Sequence, residues 1–169
     1  AIAAAHENGV SMEEAAKSLE TFTGFSGRQQ IYENNGLTVI DDTYNASPAS
    51  MKAGISVLCA LPCKNRRIAV LADMKELGEN TVRFHQEVGA YVASQPVHVL
   101  VTYGKLAEEI ENGAENVPNN DLKVYHFENK EEMTGFLDSF LKKGDCVLFK
   151  GSNSMKLGET AARYGKKKG

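Results

Sequence analysis

The sequence predicts an α/β protein: a doubly wound, mostly parallel sheet with an antiparallel edge hairpin and helices on both faces. Two observations carry this. From residue 37 onward, short apolar runs of strand type alternate with amphipathic helical stripes, and such alternation builds a parallel sheet covered by helices. Ahead of the first such unit, Asn34-Asn35-Gly36 separates two strand-like runs, and Asn-Gly supplies the positive φ of a tight hairpin turn.

Element by element, residues 2–7 are Ala-rich and stop at Asn8-Gly9, and Ser11 with Glu13 and Glu14 in the following turn opens a second short helix through Leu19. Gly24, Ser26 and Gly27 break this pattern, so residues 1–24 are expected to be the helical tail and joint of a preceding domain, and residues 25–169 the main domain. The hairpin pairs residues 29–33 with 37–41. Ser47-Pro48 then reads as an N-cap followed by N1, with Met51, Ile55, Leu58 and Cys59 on one helical face as far as Pro62.

Residues 68–72 form a fully buried type of strand, followed by the loop at 73–78 and a helix presenting Phe84, Val88, Tyr91 and Val92. Further strands are expected at 97–102, 123–127 and 145–150. The helices after them carry Leu106 and Ile110, then Met133, Phe136, Leu137, Phe140 and Leu141, then Met155 and Leu157 near the start of the last.

The 169 residues, 42% of them apolar, suffice for a core, whereas near-average composition excludes disorder and coiled coil as descriptions of the whole. A net charge of -3 gives no basic field for nucleic acid. No apolar run approaches the ~20 residues of a membrane span, so no membrane partner is expected. The chain opens on Ala1 with no Met and no signal-like segment, which suggests a piece of a longer cytoplasmic protein. Cys59 and Cys63 could chelate a metal, but no second pair or His cluster accompanies them, so they and Cys146 are expected to be buried free thiols. His98 and His126 lie inside strand patterns and are expected to be structural. The Lys166-Lys167-Lys168 run reads as a solvated end.

In an open α/β sheet, ligands bind beyond the carboxyl ends of strands. Three loops qualify: residues 41–47, 73–78 and 150–154. Asp41, Asp42, Thr43, Tyr44 and Asn45 offer carboxylates for ribose hydroxyls and an aromatic or amide plane for a purine, just before a helix N-terminus that favours anions. The alternative is that the two carboxylates merely end the strand and Tyr44 fills the core. Lys150-Gly151-Ser152 can hold phosphate or carboxylate, or can be an ordinary turn. No P-loop, dinucleotide fingerprint or nucleophile elbow is present.

Gly27-Arg28, residues 39–48, residues 70–78, residues 85–89 and Lys150-Gly151-Ser152 together resemble, in order, the carboxyl-terminal part of the Mur ligases of bacterial cell-wall synthesis, in the branch that joins D-alanyl-D-alanine to UDP-N-acetylmuramoyl-tripeptide. The resemblance implies a Rossmann-like domain docked on its own central and amino-terminal domains, the central one carrying the P-loop. It further implies an ATP- and Mg²⁺-dependent enzyme of peptidoglycan synthesis, with Mg²⁺ held mainly by the central domain, that proceeds through an acyl phosphate and works as a monomer. Residue by residue it places Arg28 near the nucleotide phosphates and ribose, Asp42 on the ribose, Tyr44 and Asn45 at the adenine edge, and Lys150, Gly151 and Ser152 in the loop facing the incoming dipeptide. It places no catalytic residue here, so this fragment alone is expected to be inactive.

Two positions depart from the family pattern. Ser47 replaces a usual Asn and Ala72 a usual Gly, the latter reducing clearance beside the strand end. The competing readings are a free-standing nucleotide-binding regulatory module and a related amino-acid ligase domain.

Overall fold

The computed structural model describes residues 2–20, 25–118 and 120–165. Helices α1 (Ile2–Glu7) and α2 (Met12–Glu20) pack on each other. Ser11 starts α2 through a reciprocal cap. Its hydroxyl accepts from the Glu14 N–H at 3.2 Å, while the Glu14 carboxylate accepts from the Ser11 hydroxyl and N–H. Gly24, at the expected joint, and Lys166-Lys167-Lys168 lie outside the described residues.

The main body follows the expected order: β1 (Gln30–Asn34), β2 (Leu37–Asp42), α3 (Pro48–Ala60), β3 (Arg67–Ala72), α4 (Thr81–Ala93), β4 (Val99–Tyr103), α5 (Glu108–Glu115), β5 (Lys123–Phe127), α6 (Lys130–Phe140), β6 (Cys146–Lys150) and α7 (Leu157–Gly165). The hairpin turns on Asn35 and Gly36, both at positive φ, the geometry that matches the twist of the flanking strands. Ser47 caps α3, exchanging hydrogen bonds with Ser50, and Pro48 begins the helix. Met155, expected in the last helix, lies in a short 3-10 turn, Asn153–Met155, ahead of it.

The six strands lie in the order β1-β2-β6-β3-β4-β5, antiparallel between β1 and β2 and parallel elsewhere. Strand β6, last in sequence, is inserted between β2 and β3. This sets the carboxyl ends of β2, β6 and β3 side by side, and with them the three candidate loops.

Side-chain alternation along the strands sends Ile40, Ala69, Leu71, Leu100 and Leu148 to one face under α3, α4 and α5. Val39, Ile68, Val70, Val101, Val147 and Phe149 face α6 and α7. Two glycines let α4 and α5 cross closely, since a Cβ at Gly89 would overlap the Ile110 carbonyl and one at Gly113 the Gln86 backbone.

Differences from the sequence expectation are local. β4 runs from Val99 to Tyr103, because the Val97 N–H is turned to the Gln95 carbonyl. The helix carrying Ile110 starts at Glu108, after a turn in which Ala107 donates to Gly104, so Leu106 stands outside it. Cys59 and Cys63 are half-buried rather than buried, whereas Cys146 is buried. Cys146 sits beside Cys63, and burial followed by that neighbour pushes its thiol pKa up to about 11. On α4, Phe84 and Tyr91 are half-buried and the buried face includes His85.

Candidate functional site at the carboxyl edge of the sheet

Arg28, Asp42, Tyr44, Asn45 and Lys150 line one open cleft of about 380 Å³, together with Gln29, Ser47 and Ser50. A somewhat larger hollow, about 420 Å³, lies at the opposite end of the sheet beside the hairpin turn and the start of β6. It contains none of the predicted site residues. In this fold class chemistry belongs at the carboxyl ends of the strands, which selects the first cleft.

The loop before β1 and the loop after β2 are tied together. Tyr44 donates its N–H to the Gly27 carbonyl at 2.9 Å. A Cβ on Gly27, which has φ +71°, would stand only 3.1 Å from the Tyr44 nitrogen. The neighbouring Arg28 guanidinium therefore lies over the Tyr44 ring, 4.0 Å from its centroid. Tyr44 is 50% exposed, so it does not fill the core and instead presents an aromatic face to the cleft.

The two adjacent carboxylates have different surroundings. Asp41 accepts from the Thr43 hydroxyl at 2.6 Å and from its N–H at 3.3 Å, which shapes the turn after β2. Asp42, one residue on and therefore on the opposite face, lines the cleft. It accepts from the Lys150 ammonium at 2.7 Å and from the Gln29 N–H at 3.3 Å. Lys150 is 2% exposed and also donates to the carbonyls of Asn45 and Asp42.

Lys150, Gly151 and Ser152 are thus divided between two environments. Lys150 belongs to the Asp42 cleft. Ser152 joins the loop after β3, donating its N–H to the Asp73 carbonyl at 3.0 Å and accepting from the Lys75 N–H at 2.8 Å. Gly151 lies between them, and a Cβ there would be 2.6 Å from that of Ala72. Gly151 thus leaves the room that the Ala72 methyl occupies.

Around Ser152 a second polar cluster forms. Buried Asp73 accepts from the Ala107 N–H and from the Lys75 ammonium, both at 2.8 Å. His85 is fully buried, accepting from the Met74 N–H through Nε2 at 3.0 Å with Nδ1 2.7 Å from the Thr81 carbonyl. These partners require the neutral Nδ1–H tautomer, and burial lowers the His85 pKa, opposed by the Thr81 carbonyl and Asp73. His85 therefore fixes the 73–78 loop. His126 lies within β5 as expected and meets the Thr102 hydroxyl, whereas His98, expected inside a strand, stands exposed just before β4 and accepts from the Arg67 N–H.

Gln29, Ser50 and Gly54 were not singled out from sequence. Gly54 presents its backbone to the Asp42–Lys150 pair, and a Cβ there would be 3.1 Å from Lys150 Cδ and 3.3 Å from Asp42 Oδ2. A glycine inside an otherwise regular helix was the available signal.

Comparison with known proteins agrees with this architecture. Residues 27–153 match the family model described as "Mur ligase, glutamate ligase domain". The chain is 38% identical over 160 residues to the UDP-N-acetylmuramoyl-tripeptide--D-alanyl-D-alanine ligase of Bacillus subtilis, covering 94% of this chain and 35% of that protein. It is 33% identical over 172 residues to the ligase of the same name from Mycobacterium leprae, covering 92% and 33%. Among solved structures, MurF from Acinetobacter baumannii superposes with a TM-score of 0.84 at 30% identity, over 96% of this chain and 35% of that one. MurF ligase from Thermotoga maritima in complex with ADP gives 0.70 at 28%, over 91% and 33%. The chain thus spans about a third of the length of the curated relatives it matches. With the family model covering most of its length and the fold shared throughout, the chain belongs to the Mur ligase family.

Proposed function

We propose that this chain is the carboxyl-terminal, nucleotide-holding part of a cytoplasmic, monomeric ATP-dependent ligase that joins D-alanyl-D-alanine to UDP-N-acetylmuramoyl-tripeptide in peptidoglycan synthesis. The observation that carries the reading is the convergence of Arg28, Asp42, Tyr44, Asn45 and Lys150 in one cleft. The ligase names of the relatives and the ADP complex of one structural neighbour support it.

Asp42 would accept from the ribose hydroxyls, Tyr44 and Asn45 would border the adenine, and the Arg28 cation would face the phosphates. In the reaction, a tripeptide carboxylate oxygen takes the terminal phosphoryl group of ATP, giving an acyl phosphate and ADP. The dipeptide amine then attacks the acyl carbon. A C–N bond forms, the C–O bond to phosphate breaks, and the amine loses a proton. Gly151 and Ser152, with the loop at 73–78, would border the incoming dipeptide.

Among the described residues no group of three or more His, Cys, Asp or Glu side chains is placed to hold a metal. Mg²⁺, which neutralises phosphate charge in such transfers, would be held mainly by the central domain, as the family resemblance implies. The exposed apolar residues Val10, Met12 and Leu19 on and before α2 support assigning residues 1–24 to that domain. Domain closure would complete the site, so the isolated chain is expected to show no ATP-dependent ligation.

In the full-length enzyme, Asp42→Ala and Arg28→Ala should raise the KM for ATP with the fold intact by circular dichroism. Unchanged ATP kinetics in both would reject the assignment. Offering glutamate beside D-alanyl-D-alanine as acceptor separates this ligase from a relative of different specificity.

A further inference from the structure

We propose that Lys150 is a positioning residue for the nucleotide, acting through Asp42, and not a cation that meets the acceptor dipeptide. The inference rests on the nucleotide reading of the cleft and adds a role to it.

Three observations carry it. First, β2 and β6 are parallel neighbours in which Asp42 and Lys150 are register partners at the last position of each strand. Their side chains leave the same face of the sheet, and the carboxylate and ammonium meet at 2.7 Å. Second, the ammonium is enclosed. At 2% exposure, with the Asp42 carboxylate at 2.7 Å, the Asn45 carbonyl at 3.0 Å and the Asp42 carbonyl at 3.4 Å, its three protons all have acceptors. A group so engaged holds the protein's own loop and has no donor left for a ligand carboxylate. Third, α3 is built to admit the pair. Gly54 lies over it, and an added methyl would press on both Lys150 Cδ and Asp42 Oδ2.

Lys150 acts on two parts of the cleft at once. Its bond to the carboxylate, with the Gln29 N–H on the other oxygen, leaves Asp42 one orientation. Its bond to the Asn45 carbonyl fixes the backbone just after Tyr44. A preset acceptor loses less entropy on binding than a mobile one. Lys150 thereby aligns the ribose-binding carboxylate with the adenine edge.

The experiment compares Lys150→Met, Asp42→Asn, the double variant and Gly54→Ala in the full-length ligase. ATP affinity is measured by calorimetry, KM for ATP and for D-alanyl-D-alanine by initial rates, and folding by thermal melting. Lys150→Met should raise the KM and Kd for ATP about tenfold or more, the weight of a buried charged hydrogen bond. The dipeptide KM and the kcat at saturating ATP should change less than about twofold. In the Asp42→Asn background Lys150→Met should cost less than it does alone, because the shared carboxylate is already altered and only the bond to the Asn45 carbonyl remains to be lost.

Gly54→Ala removes no polar group and should shift ATP affinity in the same direction. If Lys150→Met fails to fold, Lys150→Arg, which keeps the charge but not the compact three-donor ammonium, takes its place in the same comparison. A rise in dipeptide KM with ATP affinity unchanged would overturn the proposal, as would fully additive effects of Lys150→Met and Asp42→Asn. If Asp42→Asn weakens ATP binding and neither Lys150→Met nor Gly54→Ala does, the Lys150 role falls and the nucleotide reading stands. If Asp42→Asn itself has no effect, both fall.

Discussion

The guanidinium of Arg28 lies 4.0 Å from the centroid of the Tyr44 ring. The stack lets one residue support the other at the mouth of the cleft, with the flat guanidinium held by a ring that is itself half exposed. Tyr44→Phe keeps the ring and should leave the Kd for ATP within about twofold, whereas Tyr44→Ala removes it and should weaken binding about three- to tenfold. Arg28→Lys keeps the charge but not the planar fork, so it should resemble the Ala variant of Tyr44 more than wild type. Calorimetric titration of the full-length enzyme with ATP tests all three.

His85 sets a pH dependence of stability. Its Nε2 accepts the Met74 N–H, so a proton there would face another donor. Burial holds the native pKa below the unfolded value, and the unfolded chain therefore binds the proton first as pH falls. Stability should be at its full value above about pH 6.5 and decline as pH drops below it toward the lowered native pKa. Urea denaturation of wild type and His85→Gln at pH 7.5 and pH 5 tests this. The variant should be less stable at pH 7.5 and lose less on acidification. An equal loss in both proteins would assign the acid sensitivity elsewhere.

The fold was legible because its signals are local. Asn35-Gly36 marks a turn by backbone chemistry, Ser47-Pro48 marks a helix start, and apolar periodicity separates strand from helix within a window of residues. The loop at 41–45 was legible for the same reason, since its five side chains are contiguous. The partnership of Asp42 with Lys150 was not, because those residues are 108 apart in sequence. They meet only because β6 enters between β2 and β3, and no local pattern encodes strand order. Which of Asp41 and Asp42 faces α3 depends on the parity of β2, which composition cannot supply and only the resemblance indicated. Residues 85–89 entered the resemblance, but the role of His85 was hidden, since it is one polar position on a helical face that otherwise buries Val88, Gly89 and Val92.

The crossing of α4 and α5 depends on two glycines. At Gly89 an added methyl would overlap the Ile110 carbonyl, and at Gly113 the Gln86 backbone. Helix propensity favours Gly→Ala by about 1 kcal/mol, so the sign of the effect reports which term wins. Both obstacles are backbone atoms, which cannot yield without parting the helices. Gly89→Ala and Gly113→Ala should therefore each destabilise, by about 1–3 kcal/mol. Gly135→Ala on α6, where a Cβ would meet nothing within 4 Å, should be neutral or stabilising. Thermal melting of the three variants gives the comparison directly.

At the opposite end of the sheet from the cleft, Asp145 is fully buried and takes four hydrogen bonds. The Arg66 side chain donates through Nε at 3.2 Å and through its terminal nitrogen at 2.6 Å, and the backbone N–H groups of Arg66 and Lys142 add 3.2 and 2.8 Å. Removing the two partners should have unequal effects. Asp145→Ala strands two backbone donors and takes the counter-charge from the guanidinium, which keeps only the Phe140 carbonyl at 2.9 Å and the Phe140 ring, at a cost of about 3–5 kcal/mol. Arg66→Ala leaves the carboxylate its two backbone donors, and the Arg66 side chain is itself 23% exposed, so the loss should be smaller, about 1–3 kcal/mol. Urea unfolding should show the order Asp145→Ala below Arg66→Ala below wild type in midpoint, with similar slopes. Equal midpoints for the two variants would mean that the ion pair, and not the backbone donors, supplies the stabilisation at this joint.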